Sequence, residues 1–158
     1  MSSKAKVSIL FGSESDRGTM EETVRVLDRF GVQHEMESAS AHRTPDKVRE
    51  HVRSAESRGV GVFIAAAGMA NHLAGAVAAH TTLPVIGVPL AGSPLGGADA
   101  LLSTVQMPSG VPVATVAIGS AGAKNAAVLA VQILALGDPA LRLKLEDFKQ
   151  GLARGEKL

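Results

Sequence analysis

The first residues that could do chemistry form a polar run near the amino terminus, Gly12-Ser13-Glu14-Ser15-Asp16. Hydroxyl groups and free backbone N–H groups at the start of a helix make an anion site, and the carboxylate of Asp16 can accept hydrogen bonds from sugar hydroxyls. The same residues also suit an ordinary helix cap. The run is neither a Walker A loop nor a Gly-x-Gly-x-x-Gly fingerprint. It therefore leaves both interpretations open.

A second run, from Ser40 to Pro45, places His42 beside Arg43 among small residues. Arginine is suited to planar, bidentate recognition of phosphate or carboxylate. Histidine is the side chain that can both give and take a proton near neutral pH. The alternative is a surface loop with a solvated arginine.

A third run, residues 65–75, consists largely of Ala and Gly and contains Gly68 and His72. Small residues let a ligand approach the backbone closely, and the helix expected from about Asn71 offers N–H donors. Tight packing of a helix on a sheet would explain the small residues but not His72. A fourth run, residues 103–112, is rich in Pro and Gly and predicts only a loop. The five histidines and the carboxylates show no metal-binding spacing.

These runs are connected by short apolar segments that alternate with helical patterns. The predicted strands are 7–11, 32–37, 60–67, 84–89 and 112–118. The predicted helices are 15 or 16 to 30, one from 45 that Gly59 closes, 71–80, 97–105, 123–136 and a last one of about 138–153.

This alternation predicts an α/β fold, a flavodoxin-like three-layer sandwich with a five-stranded parallel sheet of order 2-1-3-4-5 plus a carboxyl-terminal helix. We expect a single domain over residues 1–158, with its core in about 5–137. In this fold ligands bind beyond the carboxyl ends of the strands. The chemistry is therefore expected in the loops after strands one, two and three.

Composition excludes several function classes. The chain has 158 residues, 46% of them hydrophobic, with 16 Lys and Arg against 15 Asp and Glu. This charge balance gives no attraction to nucleic acid or to an anionic membrane, and the only aromatic residues among Phe, Trp and Tyr are four Phe. There is no Cys, no signal-peptide pattern and no apolar run near the ~20 residues that span a bilayer. We expect a cytoplasmic protein without nucleic-acid or membrane partners.

One predicted helix fits a monomer poorly. Residues 126–136 are apolar on nearly all sides, whereas a helix on the surface of a monomer needs a polar face. We expect this helix to lie in a homo-oligomer interface. The alternative is that the carboxyl-terminal helix covers it within one chain, through its stripe of Leu141, Leu145, Phe148 and Leu152.

Five motifs, taken in order, resemble one family. They are Gly12-Ser13-x-Ser15-Asp16, Ser40-Ala41-His42-Arg43-Thr44-Pro45, Ala67-Gly68-x-Ala70-x-His72-Leu73, Leu83-Pro84-Val85-Ile86-Gly87-Val88-Pro89 and Gln106-Met107-Pro108-x-Gly110-x-Pro112-Val113-Ala114-Thr115. Together they resemble the N5-carboxyaminoimidazole ribonucleotide mutases of purine biosynthesis, over most of the chain from Val7 to about Leu136.

The resemblance implies a cofactor-free and metal-free isomerase that assembles as octamers and acts on a small ribonucleotide. It would move a carboxylate from the exocyclic nitrogen of the substrate to C4 of the ring. The implied roles are the acid/base for His42, the ribose 5′-phosphate end for Ser13, Ser15, Asp16 and Arg43, and the pocket for the migrating carboxylate for Ser40, Gly68 and His72. The alternatives are a carboxylase that uses free carbon dioxide and a non-catalytic, flavodoxin-like phosphate-binding module.

Overall fold

The computed structural model describes residues 6–158 of the chain. The strands are β1 (Lys6–Phe11), β2 (His34–Ser38), β3 (Val60–Gly68), β4 (Val85–Leu90) and β5 (Ala114–Thr115). The helices are α1 (Arg17–Phe30), α2 (Pro45–Arg53), α3 (His72–Ala78), α4 (Ala98–Val105), α5 (Ser120–Ala135) and α6 (Pro139–Ala153). Short 3-10 turns at Glu14–Asp16 and Glu56–Arg58 precede α1 and β3.

The five strands form one parallel sheet in the order β2-β1-β3-β4-β5, which confirms the predicted order. The pairing register aligns Phe11 of β1 with Ser38 of β2 and with Ala66 of β3. It also aligns Gly68 of β3 with Leu90 of β4. The carboxyl ends of four strands therefore meet at one edge of the sheet, where the sequence places its polar loops.

Successive residues of β1 supply the two cores of the sandwich, as the two-residue period of a strand requires. Val7, Ile9 and Phe11 pack in the layer of α1, α5 and α6. Leu10 packs in the opposite layer, with α2 and α3. β3 is buried on both faces over most of its length, as a central parallel strand must be.

Several predicted elements are shorter than expected. The helix predicted from residue 45 ends at Arg53, so that Gly59 closes a separate 3-10 turn at Glu56–Arg58. The fifth strand was predicted over 112–118, but ladder pairing covers only Ala114 and Thr115. Pro112 has no N–H to donate, so the segment before the strand cannot extend the ladder in full. α3 ends at Ala78 instead of residue 80.

The apolar helix α5 is largely covered within the subunit. Ala126, Ala127, Ala130 and Val131 have no exposed surface, because α5 packs on α1, α6, β3 and β4. Its own subunit therefore covers one face of α5, whereas Val128, Leu129, Ile133 and Leu134 are only partly buried, so the homo-oligomer interface expected for this helix stays a prediction. A helix that other helices cover on both sides does not need a polar face.

α6 docks on its own subunit. The rings of Phe148 and Phe30 meet edge to face, with centroids 5.3 Å apart at 75°, and Nζ of Lys144 donates to the carbonyl oxygen of Phe30 at 2.7 Å. Asp138 caps the helix by accepting from the N–H groups of Ala140 and Leu141. The sequence left the docking partner of this helix open, and the structure answers it within one chain.

A polar cluster lies under α2, at the side of the sheet where β2 is the edge strand. Glu35 accepts hydrogen bonds from Ser8 at 3.0 Å and from Arg58 at 2.9 Å, and pairs with Lys6 at 2.9 Å. Nε2 of His51 lies 2.8 Å from the hydroxyl oxygen of Ser8. Burial opposes ionisation of Glu35, but the hydrogen bonds from Arg58, Lys6 and Ser8 outweigh it and lower its pKa to about 2. Burial and the positive charge of Arg58 lower the pKa of His51.

No helix within residues 6–158 has both the length and the apolar character needed to cross a bilayer.

Candidate active site

A cavity of about 550 Å³ opens at the carboxyl edge of the sheet. The loops after β1, β2, β3 and β4 all contribute to its wall. Its lining consists of Gly12, Ser13, Ser15, Asp16, Ser40, Ala41, His42, Arg43, Ala67, Gly68, Met69, Ala70, Leu73 and Gly92. Seven of the eight residues singled out from the sequence therefore share one cavity.

The loop after β1 supplies hydroxyl groups and an acid. The backbone of Gly12 is held against β3 through its N–H, which donates to the carbonyl oxygen of Ala66 at 3.0 Å. The hydroxyl of Ser15 donates to that of Ser13 at 3.0 Å. Among residues 6–158, the side chains of Ser13 and Asp16 find no capping hydrogen bond. The simple capping role that the sequence allowed is thus not seen, and backbone donors remain at the helix start for an anion.

Burial raises the pKa of Asp16, while a hydrogen bond from the backbone of Ser13 partly offsets that effect. A carboxylate at the wall of a cavity is an acceptor for sugar hydroxyls. The neighbouring Glu14 is exposed and pairs with Arg17 at 2.7 Å, so its charge is already matched. Asp16 is therefore the acid of this loop that is available at the cavity.

The loop after β2 lies beside the loop after β1 at the wall of the cavity. The guanidinium of Arg43 donates to the carbonyl oxygen of Gly12 at 3.1 Å and lies 3.4 Å from the hydroxyl of Ser40. The loop is folded onto itself by Thr44, whose N–H donates to the carbonyl oxygen of Ser40 at 2.9 Å. Arg43 is exposed and lies beside the loop after β1. A cation, two hydroxyls and uncapped backbone donors thus converge on one end of the cavity.

His42 stacks on His72. The two imidazole centroids are 5.2 Å apart, and the ring planes are within 16° of parallel. His72 is the first residue of α3, and its ring lines a smaller adjoining cavity of about 250 Å³. The structure therefore places His72 behind His42, whereas Met69 and Ala70 before it and Leu73 after it line the main cavity.

Small residues form a further part of the cavity wall. Gly68 ends β3, and a side chain there would project toward the backbone of Gly92, 3.7 Å away. Sequence reasoning missed Gly92, because it assigned chemistry to the loops after the first three strands only. The rule that ligands bind at the carboxyl ends of parallel strands applies equally to β4 and could have found this residue.

In the part of the chain from residue 6 onward, no group of three or more His, Asp or Glu side chains could hold a metal ion. The cavity offers a cation with hydroxyl and backbone donors, the side chain of His42 backed by His72, and a wall of small residues that includes Gly68 and Gly92. That arrangement suits proton transfer on a phosphorylated small molecule.

Comparisons with known proteins agree with this geometry. The family model described as AIR carboxylase matches residues 6–154. A protein of Pyrococcus abyssi named N5-carboxyaminoimidazole ribonucleotide mutase is 51% identical over 149 residues, which cover 94% of this chain and 84% of that protein. A protein of the same name from Haemophilus influenzae is 50% identical over 150 residues, covering 95% of this chain and 92% of that one.

A solved structure shows the same fold. The crystal structure of Treponema denticola PurE aligns with a TM-score of 0.85 at 30% identity, covering 96% of this chain and 93% of that chain. The likeness, together with the strand order, confirms the predicted flavodoxin-like architecture.

Proposed function

The chain belongs to the AIR carboxylase family, and from that premise we infer that it is an isomerase of purine biosynthesis. It moves the carboxylate of N5-carboxyaminoimidazole ribonucleotide from the exocyclic nitrogen to C4, which gives 4-carboxy-5-aminoimidazole ribonucleotide. About half of its residues are identical to those of relatives named as mutases, over nearly all of the chain. The observation that supports the site assignment most directly is that His42 lines one cavity together with Arg43 and Gly68.

The anion end is proposed to hold the ribose 5′-phosphate. Arg43 supplies the charge, while Ser13 and Ser15 supply hydroxyls beside the uncapped start of the helix. Asp16 is assigned to the sugar hydroxyls, because a carboxylate repels a phosphate but accepts hydrogen bonds from neutral hydroxyl groups. This places the aminoimidazole ring toward His42.

His42 is proposed to transfer a proton in both halves of the reaction. Its imidazolium donates to the carbamate nitrogen, the bond from nitrogen to the carboxyl carbon breaks, and its electron pair stays on nitrogen as carbon dioxide leaves. The aminoimidazole is enamine-like, so C4 attacks carbon dioxide and forms the new carbon–carbon bond. The neutral imidazole then removes the C4 proton, which restores both aromaticity and the starting charge of His42.

The intermediate carbon dioxide must stay in place until C4 attacks. Ser40 and Gly68, which line the cavity, are assigned to this region, and so is His72 from its place behind His42. A closed, preorganised pocket holds the two fragments at high effective concentration. Carbon dioxide transfer between two atoms of one substrate then competes well with escape.

We also propose that one domain, residues 1–158, forms the subunit of a homo-octamer in the cytoplasm. Exposed apolar side chains support association: Leu95, Leu102 and Val105 expose 67%, 59% and 47% of their surface on α4 and the loop before it. Exposed apolar side chains grouped on one helix and the loop before it are typical of an interaction surface. The loop that carries Leu95 follows Gly92, so association here would adjoin the cavity.

Ultraviolet absorbance tests the proposed activity. Purified protein is given N5-carboxyaminoimidazole ribonucleotide in bicarbonate-free buffer, and separately aminoimidazole ribonucleotide with bicarbonate. The mutase converts the first substrate at full rate without bicarbonate. Activity only on the second pair would assign the carboxylase reaction instead, and no absorbance change with either would indicate a non-catalytic module.

A further inference from the structure

Three polar side chains fasten the loop after β3 to α4, and we call them the Asn71 clamp: Asn71, Ser103 and Thr104. The side-chain amide of Asn71 donates to the hydroxyl of Thr104 at 2.8 Å and lies 3.4 Å from the carbonyl oxygen of Val88. The backbone N–H of Asn71 donates to the hydroxyl of Ser103 at 2.9 Å. Asn71 and Thr104 are each only 1% exposed.

The clamp contains a group that is costly to bury. Oδ1 of Asn71 is buried without a hydrogen-bond partner, although buried polar atoms are nearly always paired. The amide cannot gain by turning over, because the hydroxyl of Thr104 already donates to the carbonyl oxygen of Ala100 at 2.6 Å. A buried amide that is only half satisfied destabilises the fold relative to a small apolar residue. Packing alone does not account for an asparagine here.

The backbone beside the clamp is strained as well. Met69 has a φ of +54°, the only positive value among the non-glycine residues from 6 to 158. Side chains with a Cβ rarely adopt this conformation, and such strain persists where the surroundings over-determine it. The hydroxyl of Ser103 lies 3.4 Å from the carbonyl oxygen of Met69, so the clamp also contacts this residue.

The clamp lies directly before His72. Residues 69–71 connect Gly68, which lines the cavity, to His72, whose ring stacks on His42. The N–H of His72 donates to the carbonyl oxygen of Ala70 at 2.7 Å, so a shift of this short segment would move His72 with it. Two costly features thus meet at the segment that sets the position of the histidine pair.

We propose that Asn71 is a positioning residue for the isomerase reaction: through the Asn71 clamp it fixes His72, and through the ring stack it fixes His42 against the substrate. This role rests on the proposed function of the cavity. Misplacing a catalytic group by about 1 Å can lower a rate by about 10²-fold, so a few hydrogen bonds at this point have a large effect on turnover. In this proposal, the gain in turnover offsets the loss of stability caused by the unpaired Oδ1 of Asn71.

The test uses two variants and one matched control. Asn71→Ala removes the whole amide, and Thr104→Val removes only the hydroxyl that accepts from it. Thr23→Val is the control, because Thr23 is equally buried and donates to the carbonyl oxygen of Ala123 at 2.8 Å in the opposite helical layer. We expect kcat to fall by about tenfold or more in the two clamp variants with KM little changed, and kcat to stay within about twofold in the control.

The thermal midpoint separates positioning from stability. Thr104→Val and Thr23→Val each lose one buried hydroxyl, so similar losses of Tm are expected. Asn71→Ala is expected to lose little Tm, since it also removes the unpaired carbonyl. A clamp variant whose kcat falls only in proportion to its loss of folded protein would overturn the proposal. If Asn71→Ala does not fold, Thr104→Val decides alone.

A readout independent of activity keeps the two proposals distinguishable. Nuclear Overhauser contacts between the ring protons of His42 and His72 report the stack directly in the full-length protein. We expect them in the wild type and expect their loss in the clamp variants. Unchanged ring contacts in a folded Asn71→Ala variant would overturn the positioning role. Altered contacts in a protein that turns over neither substrate would show that the clamp holds the histidine pair but would reject the proposed function, and with it the role in the isomerase reaction.

Discussion

At the scale of single residues, His42 is assigned both proton transfers that the isomerisation requires. It is an exposed imidazole at the wall of the cavity, backed by the ring of His72. The residues around it are small or neutral, apart from Arg43 at the anion end and Asp16 on the loop after β1. We therefore expect proton transfer in the reaction to depend on this side chain.

Replacing His42 by asparagine tests that assignment. Asparagine keeps the size and polarity of the side chain but cannot exchange a proton at neutral pH. We expect turnover to fall beyond the ~10²–10⁴-fold typical of one acid/base step, because the residue serves two steps, while binding of the ribonucleotide persists. The matched control is His34→Asn, at the amino end of β2 and away from the cavity. Near-normal turnover in His42→Asn would refute the role.

Arg43 is the residue on which phosphate recognition is proposed to depend. A charge-assisted contact to an anion contributes about 1.5–3 kcal/mol, so Arg43→Ala should weaken binding of the ribonucleotide by about 10–150-fold. The loss should be far smaller for the dephosphorylated riboside. Arg49→Ala is the control, since Arg49 pairs with Asp46 on the exposed side of α2. Calorimetry with both ligands measures the difference, and equal losses on both would contradict the assignment.

At the scale of elements, most of the fold could be predicted because its signals are local. The buried strand β3 is a continuous apolar run, and the loops at the strand ends are polar or glycine-rich. The coverage of α5 could not be predicted, since an apolar surface does not reveal whether a partner chain or α1 and α6 will cover it. The position of His72 behind His42 also depends on the exact start of α3, which sequence patterns do not fix.

The cluster around Glu35 gives an element-scale prediction about acid stability. The pKa of Glu35 is lowered to about 2 in the fold, from an ordinary value of 4.5. A lowered acid pKa stabilises the fold above the ordinary value, and this contribution is lost as pH falls from about 4.5 toward 2. Glu35→Gln should therefore lower the free energy of unfolding at pH 7 by about 1–3 kcal/mol, with the gap to wild type closing in that window.

Urea denaturation at several pH values measures this gap. The control is Glu146→Gln, whose partner Arg142 is 74% exposed and lies on the same helix. Exposed pairs of this kind contribute little, so its stability should follow the wild type at every pH. A constant gap between wild type and Glu35→Gln from pH 7 to pH 2 would show that the charge of Glu35 is not the cause.

At the scale of the whole molecule, we expect association to involve α4. Light scattering on the purified wild type should give the mass of an octamer. Leu102→Glu places a charge on the apolar surface of α4, where Leu102 is 59% exposed, and should dissociate the assembly without unfolding the subunit. Leu143→Glu, at a 67% exposed position of α6, should leave the mass unchanged. A wild-type mass of one subunit with full activity would refute the octamer.

The central claim is that the carboxylate moves within one substrate molecule. Carbon-13 placed in the carboxylate of N5-carboxyaminoimidazole ribonucleotide is the most direct measurement, with the enzyme turning over in unlabelled bicarbonate. We expect the label to be retained at the C4 carboxylate of the product, because the carbon dioxide formed in the cavity is captured before it escapes. Product that carries carbon from the bicarbonate pool would contradict it.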